Sequence, residues 1–298
     1  GVRFVETDVS SSAYELTTGE WFTENSSYSD VLPALNLSYN LTDDVVIRGA
    51  ASKTIARANY ADLASTRTLD PNLSGNGGNS KLKPYDATNF DLSVEWYIGD
   101  EGLLSVAYFN KDIKSFIYNS SQNVMVNYDC NQDGTVGTDE TCPFNMSGPV
   151  NGANATNKGY EVSFQMPIGD NFGVITNYTY SDADGEDENG ESIDLAGNSK
   201  NTVNVTGYFE NDDWSARISY NSRSEYLTGF TFGGANTHDD YDQVDASISY
   251  NITEDWGISL EAQNLTDSEV FHYQGQKYRP IGLYTFGRSF YLSTNFKF

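Results

Sequence analysis

The sequence predicts an all-β fold, an antiparallel transmembrane barrel with about twelve strands in this chain, and three observations carry the prediction. Apolar and polar residues alternate at period two along nearly all of the 298 residues. Short turns alternate with long loops. The composition is that of β-structure: Tyr (21) and Phe (16) are abundant, Asn, Ser, Thr, Asp and Gly fill the spaces between them, and stretches of strong helix formers are missing.

Taken in chain order, the strands repeat one pattern. In "NFDLSVEWY" (89–97), Phe90, Leu92, Val94 and Trp96 share one face, while Asp91, Ser93 and Glu95 share the other. In "DDWSARISYNS" (212–222), Trp214, Ala216, Ile218 and Tyr220 oppose Ser215, Arg217, Ser219 and Asn221. "QVDASISYN" (243–251) sets Val244, Ala246, Ile248 and Tyr250 against Asp245, Ser247, Ser249 and Asn251, and "DWGISLEAQNL" (255–265) sets Trp256, Ile258, Leu260 and Ala262 against Gly257, Ser259, Glu261 and Gln263. The final "GRSFYLSTNFKF" places Phe290, Leu292, Phe296 and Phe298 on one face, interrupted by Thr294. A soluble sandwich would press such apolar faces together around a core. A membrane barrel would turn them to lipid and enclose the polar faces around a wet lumen. Periodicity does not separate the two.

The connections do. Tight turns at 40–44, 98–102, 168–171, 210–214 and 252–256 alternate with long loops at about 56–84, 120–156, 183–198, 225–240 and 267–284. One end of the molecule therefore has turns and the other has loops, as expected of periplasmic turns and extracellular loops. The strands are long enough to cross a bilayer at roughly 9–11 tilted residues each. Trp96, Trp214 and Trp256 sit beside short turns, where indoles gather at a membrane interface; core tryptophans at strand ends are the plainer alternative. A barrel has no edges, so its last strand runs to the chain end and pairs with the first, which accounts for an aromatic terminus.

Composition narrows function. No run approaches the 18 or more apolar residues of a spanning helix, and no signal peptide opens the chain. With 42 acidic against 17 basic residues, a net charge of -25, nucleic acid is excluded as a partner. The acidity reads as a solvated surface or as cation binding. Asn-x-Ser/Thr triplets at Asn36, Asn204 and Asn264 fall within strands and read as strand composition. His238 and His272 have no second His or Cys at ligand spacing along the chain and read as solvated or lumenal. No nucleophile elbow, HExxH, P-loop or dinucleotide fingerprint occurs, so the chain is not read as an enzyme.

The sharpest motif is "DCNQDGTVGTDE" (129–140), which satisfies D-x-[DN]-x-[DN]-G-x5-E in full. A structural Ca2+ needs six to eight oxygens around one point. Asp129, Asn131 and Asp133 supply side-chain oxygens, Thr135 its carbonyl and Glu140 a bidentate carboxylate, while Gly134 allows the bend. The flanks are not helical, so this is an isolated calcium loop rather than an EF-hand; a merely solvated acidic loop is the alternative. Cys130 and Cys142, the two cysteines of the chain, bracket the loop and allow one disulfide, which implies an oxidising compartment. In the long loops Trp21, Tyr60, Tyr226 and Tyr273, with Arg57 and Arg279 nearby, offer flat faces and donors to a sugar ring or an aromatic siderophore, or pack the loops together.

The stretches "YSDVLPALNLSYNLTDDVVIRGAASKTIARANYADL" (28–63), "LKPYDATNFDLSVEWYIGD" (82–100), "NKGYEVSFQ" (157–165) and "EAQNLTDSEVFHYQG" (261–275), with the terminal "YLSTNFKF", resemble the C-terminal half of the barrel of TonB-dependent outer-membrane receptors, of the proteobacterial group associated with carbohydrate uptake. The resemblance implies a barrel of twenty-two strands around an N-terminal plug. Residues 1–298 would then be its C-terminal portion, without the plug and first strands and with the calcium loop inserted at about 129–142. It implies an outer-membrane setting among lipid and lipopolysaccharide, long loops outside and short turns and C-terminus in the periplasm, and import of an oligosaccharide energised by the TonB complex. A ferric-siderophore receptor of the same family is the alternative, and a passive porin-like or adhesive barrel a further one. The Gly/Asn-rich "LDPNLSGNGGNSKLKP" (69–84) is longer than the turn the family places before its "LKP".

Overall fold

The computed structural model describes residues 1–15, 19–130, 141–187, 189–231 and 234–297. Strands β1 (Val2–Glu15), β2 (Glu20–Asn40) and β3 (Val45–Ala56) open the chain, and the connection after β3 carries the short β4 (Arg67–Asp70) and β5 (Ser74–Gly77). A second long hairpin, β6 (Tyr85–Ile98) and β7 (Gly102–Lys114), is followed by β8 (Ile117–Asn127) and β9 (Thr141–Asn151). Next come β10 (Asn154–Ile168), β11 (Phe172–Glu186), the three-residue β12 (Ser192–Asp194), β13 (Asn201–Glu210) and β14 (Trp214–Arg223). The chain then passes through β15 (Tyr226–Thr231) and β16 (Gly234–His238), β17 (Tyr241–Thr253) and β18 (Trp256–Gln263), β19 (Val270–Gln274) and β20 (Gln276–Tyr284), and ends in β21 (Ser289–Phe296).

Twelve of these strands form one antiparallel path, β1-β2-β3-β6-β7-β10-β11-β13-β14-β17-β18-β21, in the number the alternation predicts. Registers keep the two faces separate from strand to strand. Leu37, Gly49, Leu92 and Tyr108 stand in one outward row, as do Tyr39, Ile47, Val94 and Val106. A slip of one residue would turn a whole apolar row inward, so these rows fix the pairing.

Burial distinguishes barrel from sandwich. Phe4 is 77% exposed and Leu292 73%, and most outward apolar side chains of the long strands are likewise open. Among the described residues no second sheet covers them. Aromatic rings mark two levels of this face: Trp96, Trp214, Phe172 and Phe296, with Trp256 opposite Phe296, near the tight turns, and Phe90, Tyr220, Tyr180 and Phe290 six to eight residues away on the strands of the first four. At a rise of about 3.3 Å per residue and a tilt of about 40°, the two girdles are roughly 15–20 Å apart, the order of the apolar band of an outer membrane. Thr294, the polar break in the last outward row, accepts a hydrogen bond from the Trp256 indole Nε1 at 2.9 Å. It serves an amphipathic ring at the interface.

The inner face is knit by polar cross-strand pairs. The Arg48 Nε meets Glu95 at 2.8 Å, Asn89 donates to Thr54 at 3.0 Å, and the hydroxyls of Thr206 and Ser219 and of Ser249 and Ser259 pair at 2.9 Å. Gly159 lies beneath the Phe109 ring, where a Cβ would stand 1.9 Å from the Tyr180 carbonyl oxygen.

Two features depart from the sequence reading. β1 and β21 stand at opposite edges of the path and do not pair with each other, so among the described residues the sheet is open rather than closed. The long connections are also not irregular. β4, β5, β9 and β8 form a four-stranded sheet joining the connections after β3 and β7, with β5 parallel to β9. β15, β16, β19 and β20 form a second, joining the connections after β14 and β18. The first has its own small core: Phe144 is fully buried among Val126 and Cys142, with Leu69, Tyr128 and Met146 against it.

Candidate ligand-binding face

The polar concave face encloses a hollow of about 810 Å³ under the loop end, lined by Asn36, Arg48 and Asp91 on one side and by Glu161, Thr179 and Arg223 on the other. Cations and carboxylates both reach it. The loops above are fastened by specific polar nodes.

Glu24 is the first node. It lies on the inward side of β2, where its carboxylate accepts hydrogen bonds from the hydroxyls of Ser80 at 2.5 Å and Ser65 at 3.0 Å. Ser26 donates to the Ser80 carbonyl at 2.8 Å, and the Ser65 amide donates to Ser11 Oγ at 2.9 Å. Ser80 is 1% exposed and Ser65 is also buried, so their hydroxyls depend on these partners. The Ser80 hydrogen bond lowers the Glu24 pKa most; burial opposes it, and Ser65, Lys81 and Arg67 add to the lowering.

A second node holds the β15-β16-β19-β20 sheet. The Arg223 guanidinium lies 3.8 Å over the Tyr226 ring and reaches Ser199 Oγ at 2.5 Å and the Gly197 carbonyl at 3.2 Å. Tyr226 stacks on His238 at 5.0 Å. Tyr273 is buried, its hydroxyl donates to Glu225 at 2.8 Å, and burial pushes its phenol up. Lys277 gathers Asp239 at 2.6 Å, Asp240 at 3.5 Å and Glu225 at 3.9 Å. Its bond to Asp239 raises the Lys277 pKa. Burial alone would raise Asp239, but hydrogen bonds from Lys277 and the Asp240 amide hold it below its usual value.

The six aromatic and basic residues predicted as ligand contacts fall into two groups. Tyr226, Tyr273 and Arg279, which donates to Gln274 at 3.0 Å, belong to the second loop sheet. Both Tyr226 faces are taken and Tyr273 is buried, so these two rings pack loops. Arg57 donates to Thr7 Oγ1 at 3.1 Å on the inward side of β1, and Tyr60 is 93% exposed. Trp21 meets Tyr14 edge-on at 5.7 Å in the outward-facing row that includes Phe4, so its register turns it away from the hollow. Arg57, Tyr60 and Arg279 remain accessible.

Of the predicted calcium ligands, Asn131, Asp133, Thr135 and Glu140 lie outside the described residues, as does Gly134. Asp129 is described, two residues past the end of β8. The β8–β9 register ends with Asn127 paired to Thr141, the residues that flank this segment. The predicted Cys130–Cys142 disulfide is formed, with Cα atoms 5.9 Å apart.

The reading of the histidines as solitary is corrected. His238 and His272 are direct cross-strand partners on β16 and β19, with ring centres 4.7 Å apart. Neither this pair nor Glu24 was recognised from sequence. The "THDD" and "VFHYQ" stretches meet only through the pairing of two separate loops, which no local pattern encodes.

An open-faced antiparallel sheet, greasy outside and polar within, with turns at one end and folded loops at the other, defines a membrane β-barrel of the outer-membrane class. Within it, the chain belongs to the TonB-dependent receptors: the family described as "TonB dependent receptor-like, beta-barrel" matches residues 1–265. This is a family of receptors and transporters, not of enzymes. The chain is 24% identical over 249 residues to the iron-regulated outer membrane virulence protein of Vibrio cholerae serotype O1, covering 76% of this chain and 33% of that protein. Its fold is similar to the siderophore receptor PirA from Acinetobacter baumannii (TM-score 0.66, 19% identity, 93% of this chain and 42% of that one). It is similar also to a mutant of the ferric enterobactin receptor PfeA from Pseudomonas aeruginosa in complex with enterobactin (TM-score 0.70, 18% identity, 93% and 42%). The chain thus spans about a third of the curated relative and about two-fifths of the solved receptors.

Proposed function

We propose that the chain is part of the barrel of an outer-membrane transporter that captures a bulky nutrient at its loop end and imports it with energy delivered through TonB. The observation that carries this is the polar hollow of about 810 Å³ beneath two folded loop sheets, in a barrel of this family. On the family resemblance the chain supplies the C-terminal portion of the barrel, and the plug on which TonB acts belongs to the rest of the receptor. The loop sheets face the medium; the tight turns and C-terminus face the periplasm. Lipid and lipopolysaccharide surround the outward apolar rows.

For the ligand, a ferric siderophore is the favoured class, because the relatives described above are an iron-regulated protein and receptors for siderophores. An oligosaccharide is the second reading. The exposed Tyr60 face beside Arg57 and the balance of 42 acidic to 17 basic residues favour it, since an acidic surface repels an anionic iron chelate. Ca2+ at Asp129, Asn131, Asp133, Thr135 and Glu140, stapled by Cys130–Cys142, stiffens the β8–β9 tip in either case. Growth decides between the ligands. A strain lacking the full-length receptor should fail on a ferric siderophore as its iron source and regain growth when it is restored. Normal growth there, with loss of growth on an oligosaccharide as carbon source, would select the second reading, and no defect on either would remove both.

A further inference from the structure

The His238–His272 pair is placed as a metal clip would be. Their backbones are in register across β16 and β19, and both rings are half-buried on the same side of the second loop sheet. An imidazole ring centre stands about 3.2 Å from a metal held at about 2.1 Å by its nitrogen, so two rings in neighbouring positions on one cation are about 4.5–5 Å apart. The observed centres are 4.7 Å apart with planes inclined at 53°.

The surroundings suit a ligand role. His238 Nδ1 lies 2.7 Å from the Asp239 carbonyl oxygen, which can only accept, so Nδ1 is the donor and Nε2 is the nitrogen available to a metal. A backbone carbonyl on the second nitrogen is the usual orienting partner of a metal-bound histidine. Among the described residues the His272 ring makes no hydrogen bond. Tyr226 stacks flat on His238 and Tyr284 meets His272 edge-on at 5.7 Å, holding both rings in place. Glu225, Asp239 and Asp240, gathered on Lys277, add negative charge nearby.

We propose that His238 and His272 bind a borderline divalent transition-metal ion such as Cu2+ or Ni2+ through two imidazole nitrogens, with water completing the coordination, and so clip the connection after β14 to the connection after β18. Imidazole pairs with open positions suit these tetragonal ions, whereas the oxygen-rich motif at 129–140 suits a hard cation. The proposal is independent of which nutrient is carried.

These are the two histidines of the given sequence, so the difference between the wild-type receptor and the His238 and His272 variants isolates this site. The receptor in detergent is titrated with Cu2+ and followed by electron paramagnetic resonance. One Cu2+ with two nitrogen ligands is expected, and His238→Asn or His272→Asn should each weaken binding by about 10-fold or more. Glu140→Gln should leave this signal unchanged. A wild-type spectrum without two coordinated nitrogens would overturn the proposal whatever the variants do, and so would undiminished affinity in His272→Asn.

Discussion

Replacing Glu24 with alanine should undock the connection of residues 57–84 while leaving the strands of the barrel paired. The carboxylate accepts from Ser80 and Ser65, two buried hydroxyls whose other neighbours do not replace it. Each charge-assisted bond is worth about 1–1.5 kcal/mol after discounting for the half-exposed carboxylate, so the pair contributes roughly 2–3 kcal/mol to docking. At 1.4 kcal/mol per decade, the opening equilibrium should rise about 30- to 150-fold. The Ser65 amide, bonded to Ser11 Oγ across this interface, reports the opening by hydrogen exchange. Its protection should fall by that factor, while amides in the β10–β11 ladder should not change. Glu24→Gln keeps one acceptor and should lose about 1 kcal/mol. Unchanged Ser65 protection in Glu24→Ala would show that the node does not hold the loop.

Protonation should repeat this effect in graded form. The folded Glu24 pKa lies below the ordinary 4.5, so its contribution is complete well above that value and is lost as pH falls through the folded value; Ser65 protection should be equal at pH 7 and 5.5 and decline only as pH falls below 4.5. Gly159→Ala forces a methyl to 1.9 Å from the Tyr180 oxygen and should cost about 3 kcal/mol or more, seen as loss of the folded band in unheated gel electrophoresis, whereas Gly49→Ala, with nothing within 4 Å, should migrate as wild type. Phe144→Ala removes the fully buried ring of the first loop sheet at about 3–5 kcal/mol; limited proteolysis should then cut within 115–153 and spare the barrel strands. Calorimetry should find one Ca2+ site that Glu140→Gln abolishes, and an unchanged isotherm in that variant would refute the calcium loop.

The barrel strands were legible because each needs one apolar and one polar face, and "NFDLSVEWY" or "DDWSARISYNS" displays both within nine to eleven residues. Strands inside the loops were not. β5 reads "SGNG", has no apolar alternation, and exists because its backbone pairs with β9 some seventy residues later. Thr294 looked like a lapse in an apolar row until the Trp256 indole supplied its partner. The disulfide followed from there being two cysteines. Glu24 looked like any lumen-facing carboxylate, and only the descent of Ser65 and Ser80 onto it reveals its role. Arg57 and Tyr60 were recognisable as accessible groups, but Trp21, Tyr226 and Tyr273 were not separable from them, because side-chain chemistry does not state which partner covers a ring.

The parallel seam between β5 and β9 and the antiparallel seam between β16 and β19 weld four separate connections into two panels. An antibody raised against a synthetic peptide copied from any one of these connections would meet only half of a two-part epitope. Binders selected on the intact receptor should instead straddle a seam, and should lose their grip when the partner connection is deleted.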